Sequence, residues 1–198
     1  MAPSIPHSTR ATRDRMLDAA ESLLRERGLA GAGIKQVVAR SRTPIGSVYH
    51  HFPGGKTQLA AAALNRHADK ARALLETMFA PDTPVAERVR ALFRTAARGF
   101  EQSGRLKGCA IGTVTLDLGA GDTALRGVCA QAFDGWVDAI ARRLPWKTRQ
   151  VRRSFAEMVV TTFEGAFILS RARQSGQPFL TAGQWLAAAA DSHDQESS

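Results

Sequence analysis

Apolar residues recur at three- and four-residue spacing through most of this 198-residue chain, and the runs that carry them are rich in alanine. That spacing puts apolar side chains on one stripe of a helix, and alanine has the strongest helix propensity. Alternating β-branched runs are nearly absent. The one stretch that could pass for a strand, Ile111–Leu116, contains Gly and Thr and suits a short helix better. The chain is therefore expected to be all-α, with about nine helices delimited by its prolines and glycines. A first helix is expected from about Thr9–Thr12 to Arg27, with Met16, Ala20, Leu23 and Leu24 on one face and Gly28 as its stop. Two short helices follow, Ile34–Arg40 and Ile45–His51, the second capped by Thr43 with Pro44 in its first turn. Further helices are expected at Lys56–Phe79, from Val85 through Phe100, in the short apolar piece Cys109–Leu118, and at Thr123–Leu144 and Thr148–Gln174. Pro178 should then end that region, before a last helix at Thr181–Ala190.

Composition excludes several classes. Hydrophobic residues make up 44% and charged residues 23%, the balance of a soluble globular protein. No run of 18 apolar residues occurs and the N-terminal MAPSIPHSTR lacks an apolar core, so a cytoplasmic protein with no membrane partner is expected. Cys109 and Cys129 are the only cysteines and form no CxxC, which disfavours a disulfide scaffold or a zinc site. They read as small buried hydrophobes, with a redox role left open. No GxSxG, HExxH, Glu-x-x-His pair or P-loop is present, so an enzyme on a helical bundle is disfavoured and no cofactor or metal is implied.

Lys and Arg number 27 against 18 Asp and Glu, a net charge of +9. Residues 1–56 hold nine basic and four acidic side chains, net +5, and the other 142 hold 18 and 14, net +4. Such a basic N-terminal end fits a nucleic-acid partner. The helix pair Ile34–Arg40 and Ile45–His51, joined by a tight turn within a basic three-helix unit, fits a helix-turn-helix whose second helix enters the major groove. Gly46 and Ser47 permit close approach to DNA, while Val48 and Phe52 point back to anchor the helix. Tyr49 and His50 can donate to phosphate oxygens, and Lys56 adds a cation at a helix N-terminus. Each also has a plainer reading: Tyr49 as a half-buried aromatic, His50 or His51 as a solvated side chain, Lys56 as a solvated lysine. Arg13, Arg15, Arg25 and Arg27 read as a charged outer face, with Arg10 and the preceding arm as minor-groove candidates.

The stretch Arg13 to Leu64, and GSVYHHFPGGKTQL within it, resembles the tetracycline-repressor (TetR) family of transcriptional regulators. SVYHHFPGGK and the later GCAIGTVTLDLG, Gly108 to Gly119, are similar to its branch of multidrug and flavonoid- or lincomycin-responsive repressors. The resemblance implies a homodimeric repressor that binds a palindromic double-stranded DNA operator and is released by a small-molecule effector. It places Lys35, Gln36, Thr43, Pro44, Ile45, Gly46, Ser47, Tyr49, His50 and Lys56 at DNA-facing positions. Three residues depart from the family pattern: Gly33 stands where a capping Thr is common, Arg42 replaces the turn glycine, and Ile45 occupies a position often held by Lys or Arg. An isoleucine there can meet a thymine methyl but cannot hydrogen-bond guanine as arginine does.

The implied organisation is an arm at residues 1–9, expected to be disordered, a DNA-binding domain at 10–55, a regulatory domain at 56–190 and a polar tail at 191–198. Seven of nine Phe and all three Trp lie beyond Val85. Most should be core, yet such a helical bundle can leave an apolar ligand cavity. Candidate lining residues are Phe93, Phe100, Cys109, Thr113, Phe133, Trp136 and Phe163, with Asp117 and Glu164 to orient a polar group of an apolar or aromatic effector. Gly165, Ala166 and Ser170, with Trp185 and Leu186, are the expected dimer face. A non-specific DNA-binding protein is the competing function, for which the aromatic second half has no use.

Overall fold

The computed structural model describes residues 7–196, and the surroundings of side chains from 10 to 193. The described residues form nine helices and no strand: α1 (His7–Gly31), α2 (Ile34–Ser41), α3 (Ile45–His51), α4 (Gly55–Met78), α5 (Val85–Gln102), α6 (Ala110–Asp117), α7 (Thr123–Ala141), α8 (Arg149–Arg173) and α9 (Gln177–Glu196). Their order and number match the expectation, and the differences lie at the ends. Residues 1–6 of the expected arm lie outside the described residues, whereas 7–9 already belong to α1. Pro178 does not end the preceding region; it sits in the first turn of α9, where its missing N–H costs nothing. The polar residues from 191 continue α9 to Glu196 rather than forming a tail. Arg90 donates to Asp191 at 3.0 Å and the His193 ring lies 4.5 Å from that of Trp146, which ties this last turn down.

Contacts divide the chain into two units: residues up to His67 together with Ala110–Cys129, and Ala68–Cys109 together with residues from Ala130 onward. The division differs from the expected boundary at residue 55, because α6 packs on α1 and joins the first unit. In that unit the apolar stripe of α1 (Met16, Leu17, Ala20, Leu23 and Leu24) is buried with Val37, Val48, Phe52, Leu59, Ala63 and Leu64. Gly28 breaks α1 with φ 68° and ψ −167°, a backbone region essentially reserved for glycine. The break frees the amide of Leu29, which donates to Asp117 Oδ2 at 2.7 Å. A Cβ on Gly28 would collide with that same carboxylate.

In the second unit α5 packs along α9, and α8 also packs on α9. Close approach depends on Gly183, where a Cβ would stand 2.6 Å from Phe93 Cβ. Edge-on aromatic contacts continue from there: Phe93 with Phe163 at 5.4 Å, Phe163 with Phe179 at 5.6 Å, and Phe179 with Phe167 at 4.9 Å. Arg88 is buried and donates to the carbonyls of Thr83, Phe79 and Arg143, so one guanidinium serves backbone acceptors beyond α4 and α7. The Trp136 indole N–H donates to Ala68 O at 3.0 Å.

The Gly28–Asp117 contact is testable by a double-mutant cycle. Gly28→Ala should destabilise the chain by about 2 kcal/mol, from the reserved backbone region and the collision. Asp117→Ala should cost about 1 kcal/mol, the usual loss for a cap. In urea unfolding the double variant should be more stable than the sum of the two losses implies, because the collision is gone. Strict additivity would show that the two residues do not interact.

Candidate nucleic-acid interface

A seven-residue helix is too short to persist alone, so α3 depends on what it buries. Val48 is fully buried and Phe52, its C-cap, nearly so, with the Phe52 amide donating to Val48 O at 2.7 Å. Arg13 stacks its guanidinium over the Phe52 ring, 5.4 Å from the centroid. With one face anchored, the opposite face is open: Pro44, Gly46 and His50 are exposed, as are Ile45 (51%) and Tyr49 (54%), with Ser47 half-buried. Lys35 and Gln36 of α2 are exposed as well, and Lys56 in the first turn of α4 is half-buried. Gln58 Oε1 accepts from the Gly54 amide at 2.8 Å and holds the turn that delivers Lys56.

Thr43 is the exception among the DNA-facing candidates, and it corrects two expectations. Its residue is only 5% exposed, its hydroxyl shares a 2.7 Å hydrogen bond with Ser41, and α3 has Pro44 as N-cap with no side-chain cap bond. Thr43 therefore does not cap α3, and its hydroxyl is buried against Ser41 rather than presented on the open face. The reason is the turn: Arg42 adopts the left-handed conformation with φ 53°, which turns Thr43 inward beside Ser41. The same geometry leaves the Arg42 side chain exposed. Arg42, noted in the sequence only as a departure from glycine, thus joins the cations around α3. No ion pair among the described residues engages Lys35, Arg42 or Lys56, whereas Arg40 is paired with Glu26 at 2.8 Å and Arg66 with Asp18 at 2.6 Å. His51 is half-buried beside His50; burial first, then the charges of His50 and Arg13, lower its pKa, whereas the His50 side chain is exposed.

The ligand candidates divide between the units. Thr113 and Asp117 belong to α6 of the first unit, where the exposed Asp117 carboxylate accepts the Leu29 amide. In the second unit Phe93, Phe100, Cys109 and Trp136 are buried, while Phe133, Phe163 and Glu164 are half-buried. Phe93 meets Phe163, and Phe133 meets Trp136 at 5.5 Å. Burial pushes the Glu164 carboxyl up to about 7 despite a hydrogen bond from the Cys109 thiol, and its Oε1 is buried with no hydrogen-bond partner. Neither Cys109 nor Cys129 forms a disulfide and both are buried, and burial raises the Cys129 thiol. The expected dimer face also needs correction: Ala166, Ser170 and Leu186 are buried within the chain. The large apolar residues exposed on these helices are Met158, Ile168 and Leu169 of α8 and Trp185 of α9. Among the described residues no group of His, Cys, Asp or Glu could hold a metal, and no helix is long and apolar enough to cross a membrane.

Residues 16–63 match the family described as bacterial regulatory proteins, tetR family, and residues 85–185 match the LmrA/YxaF-like C-terminal domain of transcriptional regulators. The chain is a TetR-family transcriptional regulator. It is 29% identical over 171 residues to the HTH-type transcriptional regulator LmrA of Bacillus subtilis (strain 168), covering 85% of this chain and 91% of that protein. The fold is shared with the TetR regulatory protein from Rhodobacter sphaeroides (TM-score 0.80, 20% identity, 89% of this chain and 97% of that one). It is shared too with a cysteine mutant of the TetR-family regulator CifR, solved with 26 bp double-strand operator DNA (TM-score 0.76, 18% identity, 95% and 99% covered). As a member of a family of DNA-binding regulators, this TetR-family chain is not an enzyme.

Two substitutions separate stability from recognition. A Cβ at Gly46 would meet nothing within 4 Å in the protein, so Gly46→Ala should hold or raise stability by up to about 1 kcal/mol. It should nevertheless weaken specific DNA binding by roughly tenfold, about 1.4 kcal/mol, in fluorescence anisotropy; unchanged affinity would remove Gly46 from the interface. Glu164→Gln tests the buried carboxyl. The folded chain holds that proton more tightly than the unfolded chain, so the linked stability is present below pH about 4.5 and lost as pH rises through about 7. The difference is about 3 kcal/mol. Urea unfolding of Glu164→Gln should therefore fall less between pH 5 and pH 8 than that of the wild type, and an identical fall would show that the carboxyl titrates normally.

Proposed function

We propose that this regulator is a repressor that binds a palindromic operator as a homodimer and is released by a small apolar or aromatic effector. The observation that carries the reading is the open face of α3: Ile45, Gly46, Tyr49 and His50, held outward by buried Val48 and Phe52 and flanked by Lys35, Arg42 and Lys56. Those cations supply the salt-dependent phosphate term, and Pro44 and Ile45 supply the base-edge contacts. Pro44, Ile45, Gly46, Ser47, Tyr49, His50, Lys35, Gln36, Arg42 and Lys56 form the proposed interface.

Dimerisation is supported by Met158, Ile168, Leu169 and Trp185, large apolar side chains about half or more exposed on two helices that pack together. Such a patch favours burial against a second copy, and a palindrome requires that twofold symmetry. The effector site is proposed among Phe93, Phe133, Trp136, Phe163 and Glu164, with Glu164 Oε1 as the polar anchor. Release needs an effector that prefers the DNA-incompetent state by roughly 1–3 kcal/mol. α4 contributes to both units and is the proposed carrier of that coupling.

Fluorescence anisotropy on the upstream intergenic DNA, near physiological salt, should show a preference of about a thousandfold over a scrambled duplex. Lys56→Ala should weaken all duplexes alike and flatten the salt slope by about one, whereas Ile45→Ala should change the preferred sequence. In sedimentation equilibrium at micromolar concentration the wild type should be a dimer and Ile168→Glu a monomer. Equal affinity for both duplexes would favour a non-specific DNA-binding protein, and a monomeric wild type would exclude the symmetric mode of binding.

A further inference from the structure

The reading head uses the N-terminal charge excess, but the remaining 142 residues hide a second one. Their net charge is only +4, yet Arg142, Arg143, Lys147, Arg149, Arg152 and Arg153 put six cations and no acid into twelve residues. The fold gathers four of them. Arg142, just beyond α7, and Arg149, Arg152 and Arg153 in the first turns of α8 line a cavity of about 240 Å³, together with Asp138 and Ala141 of α7. All belong to the second unit.

The positive charge of this arrangement is only partly balanced within the fold. The first turn of α8 has no acidic side chain and no side-chain cap bond, so the positive end of its dipole faces three arginines. The neutralising groups go to one guanidinium: Arg153 pairs with Asp138 at 2.5 Å and with Asp134 at 3.4 Å. Arg152 donates to the Trp146 carbonyl at 3.0 Å, which orients it and leaves its charge unbalanced. No ion pair among the described residues engages Arg142 or Arg149. Guanidiniums that converge on a concave space match the planar, bidentate recognition of oxyanions.

We propose that this cavity is a binding site for a small, multiply charged oxyanion of the phosphate or pyrophosphate class, held by Arg142, Arg149 and Arg152. Its volume lies below the roughly 300 Å³ at which drug-sized ligand pockets begin, which suits a compact anion rather than a nucleotide. Asp138, the one carboxylate in the lining, is held by Arg153, so a small anion in the cavity is met by Arg142, Arg149 and Arg152. The site is independent of α3 and of the aromatic residues proposed for the effector.

The test is isothermal titration of the full-length protein with inorganic pyrophosphate and phosphate at constant ionic strength. Pyrophosphate should bind once per chain with a Kd on the order of 0.1 mM, more tightly than phosphate, and chloride should not compete. Arg142→Gln with Arg149→Gln should reduce that affinity at least tenfold while leaving the unfolding midpoint unchanged. Asp138→Asn, which frees Arg153, should tighten it, and Lys35→Ala in the reading head should not change it. Loss of pyrophosphate binding in Lys35→Ala would place the anion at the head and overturn the proposal. So would absence of binding to the wild type, or an arginine double variant that binds as before. If pyrophosphate fails to bind and the double variant instead lowers the salt slope of DNA binding by about two, the arginines are a DNA surface and the small-anion site is wrong.

Discussion

The packing of Val48 and Phe52 into the core of the first unit decides how α3 is held. α3 has seven residues, too few for helix–coil cooperativity to sustain it, so its existence and its orientation come from the same burial. Once those two side chains are inside, the helical period turns Ile45, Gly46, Tyr49 and His50 outward. The Arg42 turn with its left-handed backbone sets where α3 begins, and the Gln58–Gly54 hydrogen bond sets where α4 resumes. The open face of α3 is thus a consequence of packing on the far side of the helix.

Polar groups inside the first unit support that arrangement rather than compete with it. Glu26 takes Arg40, and Asp18 and Glu21 take Arg66, so acidic side chains of α1 are engaged by cations away from the α3 face. Lys35, Arg42 and Lys56 keep their charge for solvent or phosphate. Asp117 plays a different part. By accepting the Leu29 amide at the Gly28 break, it brings α6, distant in sequence, into the same unit as the head. The second unit has its own internal clamp in Arg88, whose guanidinium gathers three carbonyls from the α4–α5 connection and the stretch beyond α7.

Much of the helix-turn-helix was legible in the residues because its determinants are local. Glycine and proline stop helices wherever they stand, and the spacing of Val48 and Phe52 assigns the inner and outer faces of α3 without knowledge of the partner surface. Thr43 escaped that reading. A threonine before a proline-led helix is an ordinary cap, and only the Arg42 backbone turns it toward Ser41. Asp117 escaped it as well, since its partner is a backbone amide 88 residues earlier, exposed by a glycine kink that no composition encodes. Arg142 to Arg153 were present as a charge run, but the convergence of four of them on one cavity is a property of how α7 and α8 meet.

The sequence by itself determined the all-helical class, the nine segments and the face of α3 that looks outward, since each follows from propensity and period along a single stretch. The tertiary structure alone decided which small residues of α8 are covered. Ala166 and Ser170, which the pattern offered to a partner chain, are buried within their own, while Met158, Ile168 and Leu169 stay open. It likewise decided that Gly183 is a point of close approach to Phe93 and that Glu164 is left with an unpartnered oxygen. Helical periodicity states which side chains share a face. Which face meets which is settled by the sum of packing, close approach and polar satisfaction between elements far apart in the chain, and that sum exists only once the chain has folded.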